Sequence, residues 1–210
     1  MNKVNYQREC DKVIDRIIET SSVPTLLLHS CCAPCSSYVL SYLAQFFRIT
    51  VYYYNPNITE KEEYEKRVKE QRRLIDELPA EHEISFVEGP YEPEKFLKMA
   101  EGLEGEKEGG ARCFLCYELR LRQAIDYAKA NGFAYVTTTL SVSPHKNADK
   151  LNEIGLKLAG EADIDYLLSD FKKKGGYLKS IELSKKYDLY RQNYCGCIYS
   201  KACRMAEKEG

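Results

Sequence analysis

The chain has 210 residues, enough for one sizeable hydrophobic core and not so many that two are required. Its 31 basic and 32 acidic residues nearly cancel, so overall charge directs it neither to nucleic acid nor to a membrane surface. No apolar run approaches membrane-spanning length, and Met1–Asn5 lacks the apolar segment of a secretory leader, so the reading is a cytosolic protein.

In chain order, residues 5–20 carry Val13, Ile14, Ile17 and Ile18 at helical spacing. Pro24 breaks that pattern, and Thr25–Ser30 reads as a buried strand. A cysteine-rich turn leads to a helix over Ser36–Phe47 with Val39, Leu40, Leu43, Phe46 and Phe47 inward. Ile49–Tyr54 is a β-branched and aromatic strand stopped by Asn55-Pro56-Asn57. Thr59 followed by Glu62 predicts a capping box opening a charged helix to about Leu78. A strand at Ile84–Val87 and a short helix at Pro93–Ala100 follow, then a Gly/Glu-rich loop at Gly102–Gly110. Cys113–Ala130 is a helix with Leu119, Ile125 and Ala128 inward, ended by Asn131-Gly132. Phe133–Leu140 reads as a strand, Ile164–Leu168 as a short extended piece, and 147–159, 178–187 and 198–206 as helices. Alternating strand and helix predicts an α/β fold: a parallel sheet sandwiched by helices, as a single domain over 1–210. Ligands in such sheets bind beyond the carboxyl ends of strands, which is where the first cysteine cluster falls.

Cysteine is the compositional outlier. Nine occur, at positions 10, 31, 32, 35, 113, 116, 195, 197 and 203. An odd number in a cytosolic chain argues for metal or redox chemistry over a complete disulfide framework. Cys32-x-x-Cys35 and Cys113-x-x-Cys116 each sit at a predicted helix start, where the helix dipole favours thiolate, the form that ligates iron or zinc. Two such pairs supply four sulfurs to one site. Spacing alone pairs Cys32 with Cys35; adjacent Cys31 and Cys32 converge only in a loop, because on a strand they face opposite ways. Gly196 allows Cys195 and Cys197 to approach each other as a redox-active disulfide or as ligands of a second metal. For Cys10 and Cys203, on helices among apolar neighbours, core packing is the expectation.

Six ordered motifs carry a resemblance: His29-Ser30-Cys31-Cys32-Ala33-Pro34-Cys35-Ser36, Tyr54-Asn55-Pro56-Asn57-Ile58, Cys113-Phe114-Leu115-Cys116-Tyr117, Thr137–Lys146, Ser169-Asp170-Phe171-Lys172-Lys173-Lys174 and Tyr190–Cys197. In these the chain resembles the QueH-type epoxyqueuosine reductases. The resemblance implies a Rossmann-like fold of the HUP group and reduction of epoxyqueuosine to queuosine at the wobble position of tRNA, in the cytoplasm. It implies a [4Fe–4S] cluster on Cys31, Cys32, Cys113 and Cys116, with catalytic roles for Cys195, Cys197 and Asp170. A second mononuclear metal, iron, is expected on Cys35, Cys197 and Asp170, and an external electron donor is required.

For tRNA contact the candidates are Lys172, Lys173, Lys174 and Arg191, with Lys66-Arg67 and Arg72-Arg73 as weaker choices and Tyr54, Tyr190 and Tyr194 as stacking platforms. Proton donors are sought among Tyr117, Tyr194, His145 and Asp170. One rival reading, an ATP-using tRNA-modifying transferase, needs a Gly-rich phosphate loop where this chain has Cys31–Cys35. The others are a zinc-stabilised binding module and a thiol–disulfide oxidoreductase working without metal.

Overall fold

The computed structural model describes residues 4–209. Met1–Lys3, part of the segment from which the absence of a leader is read, lie outside the described residues. Helices and strands alternate as α1 (Tyr6–Glu19), β1 (Thr25–His29), α2 (Ala33–Leu43), β2 (Arg48–Tyr53), α3 (Lys61–Glu77), β3 (Ile84–Glu88), α4 (Pro93–Ala100), α5 (Ala111–Ala130), β4 (Tyr135–Thr138), α6 (Ala148–Ala162), β5 (Asp165–Tyr166), α7 (Gly176–Lys186) and α8 (Ile198–Glu209). The strands form one parallel sheet in the order β3-β2-β1-β4-β5, the Rossmann-like α/β arrangement expected from the alternation. The chain moves outward from β1 to β3, then crosses back to β4, so the strand order reverses beside β1. That reversal opens a crevice at the carboxyl ends of β1 and β4.

The pleat divides the core between two layers. Leu26 and Leu28 pack with Ile14, Val39, Leu43 and Phe47 on the α1–α2 side. Leu27, between them, points the other way, among Leu121, Ile125, Val136 and Leu151 from the α5–α6 side. This period of two, applied to a strand buried on both faces, is why Thr25–His29 reads as an unbroken apolar run. Among the described residues no helix is long and apolar enough to cross a membrane.

Several boundaries differ from the expectation. Helix α2 starts at Ala33, three residues earlier, because Pro34 falls in the first turn, where its missing N–H is no loss. Helix α3 does not use Thr59 as a cap: Glu60 occupies that position without a side-chain capping bond, and among the described residues the buried Thr59 hydroxyl has no hydrogen-bond partner. Glu62 and Glu63 still suit the positive end of the helix. The strand expected over Phe133–Leu140 shortens to β4, because the Thr138 hydroxyl accepts the Leu140 N–H at 3.2 Å and turns the chain into a 3-10 helix over Thr139–Val142.

Candidate active site

Strand β1 ends in the crevice on His29, which is fully buried. Its Nε2 lies 3.1 Å from the Tyr54 carbonyl, which only accepts, so Nε2 carries the proton. Nδ1 then accepts from the Thr138 hydroxyl at 2.8 Å. Burial, reinforced by the nearby charge of Arg120, lowers this imidazole to about 3 and keeps it neutral. Ser30 is held just as tightly: its hydroxyl meets Gln71 at 2.8 Å and Ser36 at 2.6 Å, and its carbonyl accepts from Asn55 at 2.9 Å. The loop that follows has little freedom, and it carries the thiols.

The Sγ atoms of Cys31, Cys32 and Cys35 lie within 4.8 Å of one another, with Cys31 and Cys32 3.7 Å apart. Adjacent cysteines lie this close because the chain bends at Cys31, beyond the end of β1, and Cys32 is the N-cap of α2, so the pair sits in a loop as its convergence requires. Hydrogen bonds from Cys31 and Cys35, helped by the charge of Arg67, hold the Cys32 thiol well below its ordinary value. Cys35 is pushed well above it by hydrogen bonds to Cys31 and Cys32. Three thiols this close cannot all ionise without a cation among them, and a bound metal supplies one.

The second group surrounds the start of α5. Cys113 and Cys116 stand one turn apart; Cys113 Sγ accepts the Gly109 N–H at 3.2 Å, and burial pushes the Cys116 thiol up to about 12. Facing them is the Cys195–Cys197 loop. Lys146 Nζ lies 3.2 Å from Cys195 Sγ and 3.7 Å from Glu108. Burial opposes the charge on Lys146, and Cys195, Tyr117 and Glu108 outweigh it, holding the ammonium well above its usual value. Cys197 Sγ accepts the Ser200 N–H at 3.3 Å, and burial raises its thiol to about 11.

Gly196 joins the two cysteines at φ +112°. A Cβ there would come within 2.8 Å of Ile58 and 3.1 Å of the Arg67 guanidinium, which donates to the Cys195 carbonyl at 3.3 Å. Gly196→Ala is expected to destabilise by about 1–3 kcal/mol and to displace both thiols. Thermal unfolding together with the rate of disulfide formation between Cys195 and Cys197 would check this.

The two groups line adjoining cavities. The larger, about 290 Å³, has Cys31, Cys32, Cys35, Arg67 and Tyr194 in its walls. The smaller, about 20 Å³, is lined by Cys113, Cys116, Tyr117, Cys197 and Cys203. Glu108, Arg120, Lys146 and Cys195 border both. Soft sulfur donors lining adjoining cavities, with Arg120 and Lys146 in the walls of both, fit an anionic thiolate-ligated metal centre.

Other candidates fall elsewhere. Cys10 is fully buried, as expected. Cys203 is exposed at the rim of the smaller cavity, not in the core, because the face of α8 that carries it has no layer packed over it. Asp170 lines neither cavity; Lys172 pairs with its carboxylate at 2.7 Å. Lys174 reaches back to Asp11 at 2.8 Å, Lys173 is exposed, and Arg191 lines the larger cavity. Tyr54 is fully buried and donates to Glu92, so it cannot stack on a base, whereas Tyr194 faces the larger cavity. Arg67 is buried against Glu63 at 2.7 Å, and Arg72 and Arg73 are engaged with glutamates. Sequence reasoning missed Arg120, Lys146 and Glu108 as parts of the cleft. Arg120 had a readable signal, lying four residues beyond Cys116 on the same helix face.

The profile of the family described as epoxyqueuosine reductase QueH matches residues 26–203. The epoxyqueuosine reductase QueH of Streptococcus pyogenes serotype M1 is 42% identical over 94% of this chain and 78% of its own length. That of Staphylococcus epidermidis is 41% identical over 94% and 85%, and that of Thermotoga maritima 33% over 84% and 90%. The thiol-lined cleft thus lies within the matched region, and the chain belongs to the epoxyqueuosine reductase QueH family.

Proposed function

We propose that this protein reduces epoxyqueuosine to queuosine at the wobble position of tRNA, in the cytoplasm, with a [4Fe–4S] cluster held by Cys31, Cys32, Cys113 and Cys116. The observation that carries the reading is that the two cysteine groups line adjoining cavities with Glu108, Arg120, Lys146 and Cys195 in the walls of both. Cys35 and Cys197 remain beside that set as ligands for a second, mononuclear iron. Asp170, bound to Lys172, would have to exchange that partner to join them. When bound, the cluster supplies electrons one at a time.

The reaction removes the epoxide oxygen as water and leaves an alkene, which takes two electrons and two protons. Cys195 and Cys197 are both free thiols, and when Cys197 is not holding the second iron, closing a disulfide between them releases that complement. An external donor then restores the dithiol. Lys146 places its ammonium 3.2 Å from the Cys195 sulfur. The Tyr117 hydroxyl is buried, has no hydrogen-bond partner among the described residues, and belongs to a residue lining the thiol cavity, so it is the best-placed proton donor to the departing oxygen. A cavity of about 290 Å³ admits a modified base flipped out of the anticodon loop, with Tyr194 as its stacking wall.

Incubating the anaerobic, reduced protein with tRNA bearing epoxyqueuosine, then digesting to nucleosides, should give queuosine, lighter by one oxygen. Iron-loaded protein that leaves the epoxide intact would overturn the assignment. Binding of the tRNA should weaken steeply with salt, and Arg191→Ala should reduce the log–log slope by about 1, as expected for loss of a single phosphate contact.

A further inference from the structure

Among the described residues, four cationic side chains are buried or nearly so around the cleft: two have carboxylate partners, and a third, Arg112, is held by the Leu103 and Glu104 carbonyls at 2.6 and 3.0 Å. Arg67 pairs with Glu63 at 2.7 Å, and Lys146 has Glu108 at 3.7 Å. Arg120 differs. It is 1% exposed, and among the described residues no carboxylate lies within ion-pair reach of it. Its Nη2 donates to Asn55 Oδ1 at 2.5 Å, and its Nε is buried with no partner. Removing a guanidinium from water without a counter-charge is costly, so a fold that keeps one there has an anion to match it.

The groups within its field that become anionic on binding a metal are sulfurs. The charge of Arg120 acts on Cys116, Cys31 and Cys195, members of both cysteine groups, and its side chain lines both cavities. Asn55 fixes it there: while its Oδ1 takes the guanidinium, its Nδ2 donates at 2.9 Å to the carbonyl of Ser30, the residue before Cys31. Arg120 is therefore tied by a short chain of bonds to the loop that carries the first thiols, and by its own helix to Cys116 one turn away.

We propose that Arg120 is the charge-compensating residue of the metal centre: a fixed, buried guanidinium that offsets the net negative charge of the thiolate-ligated group and raises its reduction potential. This rests on the iron–sulfur reading above. A cluster with four thiolate ligands is a net anion, and each added electron makes it more so; a nearby fixed cation favours the reduced form. Removing the cation makes reduction harder and moves the midpoint to more negative potential.

The test compares R120K with R120Q, each purified anaerobically, by iron and sulfide content and by the midpoint potential from dye-mediated titration. R120K keeps the charge and should load as the parent does, with a midpoint close to the parent's. R120Q keeps hydrogen-bonding capacity but loses the charge. It should load with a clearly more negative midpoint, or fail to retain iron where R120K retains it. Either result supports charge compensation. If the two variants match each other in both iron content and midpoint, whether both resemble the parent or both are empty, shape and hydrogen bonding are what matter and the proposal is wrong. Failure of the underlying reading shows separately, as a parent protein that binds neither iron nor sulfide.

Discussion

Cys32→Ala and Cys113→Ala should each leave the protein without bound iron and without turnover, a loss of at least about a thousandfold if an open-shell redox centre is essential. Cys32 is the thiol most inclined to ionise within the Cys31/Cys32/Cys35 group, and Cys113 belongs to the pair lining the adjoining cavity. The two substitutions together decide the ligand set. If the first group alone held the metal, Cys113→Ala would keep its iron and Cys35→Ala would lose it. With the cluster on Cys31, Cys32, Cys113 and Cys116, both Cys32→Ala and Cys113→Ala empty the site, and Cys35→Ala keeps four irons while losing any fifth. Iron and sulfide determination on the three variants separates the cases.

Gly176→Ala should be the most damaging single substitution away from the thiols. A Cβ there would lie 1.9 Å from the Phe171 carbonyl and 2.3 Å from the Tyr38 ring. Neither neighbour is free to yield: one is backbone, and the other belongs to α2, against which α7 packs. The helix would have to lift away, taking with it Tyr177 and Ser180 in the wall of the larger cavity. Overpacking of this severity is expected to cost about 3 kcal/mol or more. For a chain of this size that lowers the melting temperature by roughly 6–12 °C. A thermal midpoint within a degree or two of the parent would show that α7 is docked less tightly than the structure indicates.

The parts legible in the sequence are those set by local pattern. The buried strand before Cys31, the helix beyond Cys35 and the alternation that makes a parallel sheet follow from runs and periods within single segments. The capping of α3 was misjudged because Thr59 and Glu62 match a motif whose first bond the chain does not make. The truncation of β4 depends on a threonine hydroxyl competing for a ladder N–H, which composition does not reveal. Spacing pairs Cys32 with Cys35 and the resemblance pairs Cys31 with Cys32; the structure gathers all three, because the chain bends at Cys31 between the end of β1 and the start of α2. The cations were hidden for a topological reason. Lys146 meets Cys195 from 49 residues away, and Arg120 meets Asn55 from 65, so only the folded sheet brings them together.

One measurement bears most directly on the proposed chemistry: iron and acid-labile sulfide determined on anaerobically purified protein, whose conversion of epoxyqueuosine-bearing tRNA is followed in the same preparation. About four irons and four sulfides per chain, with any fifth iron at the second site, and queuosine formed only while they are retained, is the predicted result. A colourless, zinc-bearing preparation that converts the epoxide just as well would contradict it.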